Sequence, residues 1–255
     1  MGIGSTPTPL APPEQAPINH FGRAFGALFN PMTTFEDVAR RPSWIVPVIL
    51  LTVISLATIA VFSQRVGWER VVKQQVERSP RAAERMAAMK PEQRQQAIEQ
   101  SVKLYQIIGY VAAAIEFFII VVVLALALMG AVNLFCGASV RYVTSMAVVA
   151  HAYMPSLVSG LLAIVILFLK NPDTVDVEHI VASNLGALVG SDWPRWLVSL
   201  ASSVDLFAFW RIALLAIGFS AASPKKVTVG KALGIILVVY AVYALAAAGL
   251  AAVLS

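Results

Sequence analysis

The sequence predicts an all-α, polytopic integral membrane protein with five transmembrane helices, and three observations lead there. Hydrophobic residues make up 58% of the 255 residues against 13% charged, with a mean hydropathy of +0.77, where a soluble domain carries about a quarter charged residues. The apolar residues gather in five runs, 44–63, 107–134, 144–169, 196–219 and 231–254, each long enough to cross a bilayer. Between the runs lie polar, charged or proline-marked stretches.

Taken in order, residues 1–17 hold Pro7, Pro9, Pro12, Pro13 and Pro17 among small polar residues. They cannot bury enough apolar surface to order themselves, and a disordered tail without a signal-peptide h-region is expected. Residues 18–43 read as an amphipathic interfacial segment. Phe21, Phe25, Leu28 and Phe29 fall on one helical face with Arg23 elsewhere. Pro31 should end that helix, and Thr33 with Glu36 forms a capping-box pattern for a second one, closed by Arg40, Arg41 and Pro42. Such helices either anchor the chain or sense curvature and dock partners.

The first span, 44–63, is uncharged and starts at Trp44, an interfacial anchor. The loop 64–106 carries nine Lys/Arg and five Glu. Trp68, Val72 and Val76 recur at helical spacing before Ser79 and Pro80, so the loop reads as two or three amphipathic helices, the last running into the second span. A solvated or lipid-lying charged face and a partner-binding surface are both open. Nine residues, 135–143, join the second and third spans as an antiparallel hairpin. The connection 170–195 holds Asp173, Asp176, Glu178, Asp192 and His179, at spacings that match no metal-ligand motif. Lys225 and Lys226 precede the fifth span, which is rich in Ala and Gly, as close helix packing in lipid prefers.

Five spans place the termini on opposite sides. With the N-terminus in the cytoplasm, seven Lys/Arg lie inside and eleven outside, an opposition that comes wholly from the basic first loop. The net charge of +5 suits topology and anionic lipid rather than nucleic acid. A lone Cys136 forms neither an internal disulfide nor a thiolate cluster, and no cofactor or metal is expected.

Four ionisable residues fall inside spans: Glu116 in the second, His151 in the third, Asp205 and Arg211 in the fourth. An intramembrane charge costs ~2.5–3.5 kcal/mol on insertion scales and is a functional candidate by default. Asp205 and Arg211, six residues apart, are separated by about 240° around and about 9 Å along a continuous helix. Their partners therefore belong to other helices. Counted by residues from one membrane face, Glu116 and Asp205 share one level and Arg211 and His151 another. A proton- or ion-coupled polar core and a buried cluster that fixes helix register are the two readings. Hydrolase signatures such as GxSxG and HExxH and phosphate-binding Gly-rich loops are absent, so no enzyme is expected.

Three stretches resemble the Yip1 family: FNPMTTFEDVARRPSWIVPVIL, with Pro31 and Pro42; HAYMPSLVSGLL, with Tyr153 and Pro155; and SNLGALVGSDWPRWLVSLASSVDLFAFWRIALLAIGFS, with Asp205, Phe207, Trp210 and Gly218. The resemblance covers about residues 29–219. It implies a five-span protein with a cytoplasmic N-terminus that organises membrane or supports partner membrane proteins. Eukaryotic members bind prenylated GTPases in vesicle traffic. The chain lacks their acidic Asp-Leu-Tyr-Gly-Pro segment and has a long basic first loop. Both departures favour a bacterial type in the cytoplasmic membrane, with the lipid bilayer and other membrane proteins, such as a transporter complex, as partners, and they allow a homo-oligomer. The alternative is a small proton- or ion-coupled transporter or channel using the buried charges.

Overall fold

In the computed structural model, residues 18–177, 179–189 and 193–253 are described. The expected tail 1–17, and Glu178 and Asp192 of the acidic connection, lie outside them. The described chain is helical, and its one β-type contact is the antiparallel bridge between Asn184 and Asp205.

Helix α1 (His20–Phe29) is capped by Asn19, whose side chain accepts from Gly22 N. Helix α2 (Pro31–Arg40) follows after Asn30 alone. The capping box expected at Thr33 does not form. Helix α2 already begins at Pro31, because proline's fixed φ and missing N–H suit the first helical position. Thr33 instead donates its hydroxyl to Asn30 Oδ1 at 3.2 Å. Helix α2 is more than a connector, since Phe35 and Val38 are fully buried and the helix packs on the bundle.

Four helices are long and apolar enough to cross a membrane: α3 (Ile45–Arg65), α6 (Pro91–Cys136), the paired α7 (Tyr142–Ala152) and α8 (Pro155–Leu169), and α11 (Val229–Val253). Between α3 and α6 lie α4 (Trp68–Arg78) and α5 (Pro80–Ala88), the latter capped by Ser79. Trp68 and Val72 are buried, Trp68 with Phe62, Leu167 and Val175, and Val175 O accepts from Arg70 and Gln74 at 3.2 Å each. The first loop thus packs on the connection after α8.

Asn133 closes the turn between α6 and α7. Its Nδ2 donates to Val140 O at 3.1 Å while its Oδ1 accepts from Val140 N at 2.9 Å. Tyr142 and Ser145 donate to Val122 O and Ala125 O, so these two hydroxyls of α7 are satisfied by α6 backbone.

The expected continuous helix over 196–219 is not observed. The chain forms α9 (Arg195–Ser203), an extended link at Val204 and Asp205, and α10 (Leu206–Ala222), an apolar helix shorter than the other four. Helix α9 packs on α11, while α10 packs on α11, α2 and α7. A Cβ at Gly218 of α10 would stand 2.5 Å from Val148 Cγ1 and 2.9 Å from Phe35 Cδ1. Gly218→Ala is therefore expected to lower stability by about 1–3 kcal/mol through overpacking, read from melting in detergent. An unchanged melting curve would mean that Val148 and Phe35 both yield freely.

Candidate functional site

The break in the fourth apolar segment organises the polar interior. Asp205 is extended (φ −125°, ψ 134°) and caps α10, its Oδ1 accepting from Ala208 N at 2.7 Å. Ser183 donates its hydroxyl to Asp205 Oδ2. Leu185 N donates to Val204 O at 3.1 Å and Leu206 N to Ser183 O at 3.0 Å, so the preceding connection satisfies the backbone groups that the break frees. Such close approach needs Gly186, where any Cβ would overlap Ser202 Oγ. Tyr240 of α11 donates its hydroxyl to Ser203 O at 2.6 Å. Tyr240 is the twelfth residue of the 25-residue α11. The break therefore lies level with the middle of a membrane-length helix, about 16 Å from its start. Irregular backbone at that depth is tolerated where protein buries it or where it lines a cavity.

A cavity of about 790 Å³ lies beside the break. Glu116, Asp205 and Arg211 all line it, with Tyr153, Ser156 and Tyr240. Ser55 of α3 donates to Glu116 Oε1 at 2.6 Å, tying the first span to the second. Arg211 Nη1 donates to Ser156 Oγ at 3.1 Å, and its guanidinium lies 5.1 Å from the centroid of the Tyr153 ring. That ring is set edge-on to Phe117 at 6.4 Å. Tyr153 stands in the turn between α7 and α8, and Pro155 opens α8. The tyrosine and the arginine, 58 positions apart in the chain, thus meet as a cation–π pair. Arg211 makes no ion pair among the described residues.

His151 stands apart from the other three. It is 1% exposed, does not line the cavity, and its Nδ1–H donates to Ala147 O at 2.8 Å. His151 and Arg211, expected at one level, share no hydrogen bond: Arg211 bonds Ser156 and His151 bonds Ala147. Phe207 is buried and Trp210 packs against the main core, while Pro31 and Pro42 bound α2.

Sequence reasoning missed the hydroxyl partners Ser55, Ser156, Ser183 and Tyr240. No spacing distinguishes them from other small polar residues in apolar runs. It also missed Arg23, which is 4% exposed. Its Nε pairs with Asp37 Oδ2 at 2.6 Å and its Nη1 donates to Arg41 O at 2.8 Å, locking α1 to α2.

In the connection, His179 Nδ1 faces Asp176 Oδ2 at 3.2 Å and its Nε2 faces Ser202 Oγ at 3.1 Å. Ser202 donates its hydroxyl to Val198 O at 2.8 Å, so its proton is held by its own helix backbone. The contact ties the connection to α9. No group of three or more His, Cys, Asp or Glu able to hold a metal occurs among the described residues.

The apolar helices and the polar interior held within them define an all-helical membrane protein. The Yip1 domain family model matches residues 25–251, and the chain belongs to the Yip1 family. No curated protein and no solved structure matches it.

Proposed function

We propose that the chain is a non-enzymatic, five-span organiser of a bacterial cytoplasmic membrane, supporting partner membrane proteins from a cytoplasmic N-terminal segment. In this reading α9 and α10 together make the fourth of five spans, and residues 18–43 form a surface unit on a membrane domain over 44–254.

One observation carries the proposal. Phe21, Phe25 and Phe29 are 59%, 43% and 83% exposed on α1, whose opposite face is buried through Arg23, Ala24 and Ala27. The Arg23–Asp37 pair and the buried Phe35 fix that aromatic row rigidly to the bundle. A rigid row of exposed aromatic rings suits a bilayer surface or the flank of another membrane protein. The test is quantitative affinity capture of the full chain from cytoplasmic membranes. The triple variant Phe21→Ser, Phe25→Ser, Phe29→Ser should melt like the wild type and lose specific membrane-protein partners; an identical capture profile would sink the reading.

The transporter alternative is favoured by the placement of Glu116, Asp205 and Arg211 around one cavity. Proton or ion flux into proteoliposomes that falls in Asp205→Asn and Glu116→Gln, both still folded, would support it. Absence of flux in all three proteins would remove it.

A further inference from the structure

The cavity is charged inside and open sideways. Its wall includes Ile119 and Val123 of α6 and Tyr243 of α11, which are 48%, 60% and 64% exposed on helices of membrane-spanning length. The mouth therefore faces the acyl chains of the bilayer. Its lining includes one guanidinium, Arg211, without a carboxylate partner among the described residues, and two carboxylates, Glu116 and Asp205. Each carboxylate holds a hydroxyl, from Ser55 and Ser183 respectively, and a carboxylate has further lone pairs to offer. The Asp205 cap also occupies the N-terminus of α10, so the anion-attracting group of the cavity is Arg211. The break in the chain beside the cavity is level with the middle of α11.

A plain anion entering would meet two carboxylates, and a plain cation would meet Arg211. A group bearing both charges finds a complement for each. About 790 Å³ falls within the range of small-molecule sites, roughly 300–1,000 Å³. The bilayer itself supplies such a group on a molecule whose tails match the apolar mouth. Moving a headgroup through hydrocarbon is slow because its charges lose their solvation. A laterally open cleft that offers fixed opposite charges at mid-depth lowers that barrier while the tails stay in lipid.

We propose that this cleft admits the zwitterionic headgroup of a bilayer glycerophospholipid, phosphate toward Arg211 and ammonium toward Glu116 and Asp205, and so carries the lipid between leaflets. The proposal goes beyond the organiser reading, and its assay follows lipid rather than ions or partner proteins.

The test uses the full chain in vesicles doped with acyl-labelled fluorescent phosphatidylethanolamine or acyl-labelled phosphatidylglycerol, quenched from outside with dithionite. Acyl labelling leaves the ammonium free. Wild type should expose the inner-leaflet label, moving phosphatidylethanolamine about fivefold faster than phosphatidylglycerol. Arg211→Met should slow transfer by about tenfold. Val123→Trp, which narrows the mouth without touching a charge, should do the same and decides the matter if Arg211→Met fails to fold. Quenching that stops at the outer leaflet in wild type would overturn the proposal. So would wild-type rates in a folded Arg211→Met or Val123→Trp, or equal rates for the two lipids.

Discussion

Asp37→Ala is expected to lower unfolding stability by about 3–5 kcal/mol, although it removes one carboxylate from two short helices outside the main spans. The effect comes from the partner left behind. The Arg23 side chain is 5% exposed and that of Asp37 15%, so neither charge has much water to return to. After the substitution the Arg23 guanidinium retains, among the described residues, only the Arg41 carbonyl. Truncating one partner of a buried pair strands a charge, whereas replacing both by apolar groups of similar volume is often nearly neutral. The double variant Arg23→Met, Asp37→Ala should therefore recover most of the loss. Chemical or thermal unfolding in detergent measures both, and a double variant as unstable as Asp37→Ala would contradict the account. The same loss should loosen α1 and blur the aromatic row, so Asp37→Ala should also weaken partner capture.

Asp205→Ala should rank next, at about 2–4 kcal/mol. A helix N-cap contributes ~1–2 kcal/mol in water, and an unsatisfied backbone group at membrane depth costs several kcal/mol because no water replaces the lost acceptor. Asp205 accepts from both Ala208 N and Ser183 Oγ. Asp205→Asn keeps one side-chain oxygen and should lose less than ~1 kcal/mol. That contrast separates capping from charge. If Asn and Ala destabilise equally, the negative charge and not the cap holds the break; if Ala melts like wild type, the cap is dispensable.

Much of the architecture is legible in the sequence because hydrophobic runs and proline positions act locally. The run 44–63 corresponds to α3, the last helical stretch of the basic loop continues into the second span as α6, and Pro80 opens a helix at the break expected there. The break at Asp205 is not legible in the sequence. Residues 196–219 are apolar enough to read as one helix, and Asp is also a preferred N-cap residue. What selects the cap is the bridge from Ser183 and Leu185 and the bond from Tyr240, all distant in sequence. His151 shows the reverse case. Its position inside a span singled it out, yet a bond to its own helix backbone, at Ala147, accounts for its burial.

By itself, then, the sequence determined the class of protein and most of its apolar helical runs, and it singled out Glu116, Asp205 and Arg211, because apolar length and an isolated charge are properties of a single segment. The tertiary structure alone decided that those three line one cavity and His151 does not, that Tyr153 lies against Arg211, and that Arg23 is locked to Asp37. Each of those facts is a meeting between segments. In an apolar medium a polar group must find its partner within the protein, and which one it finds depends on how the helices pack.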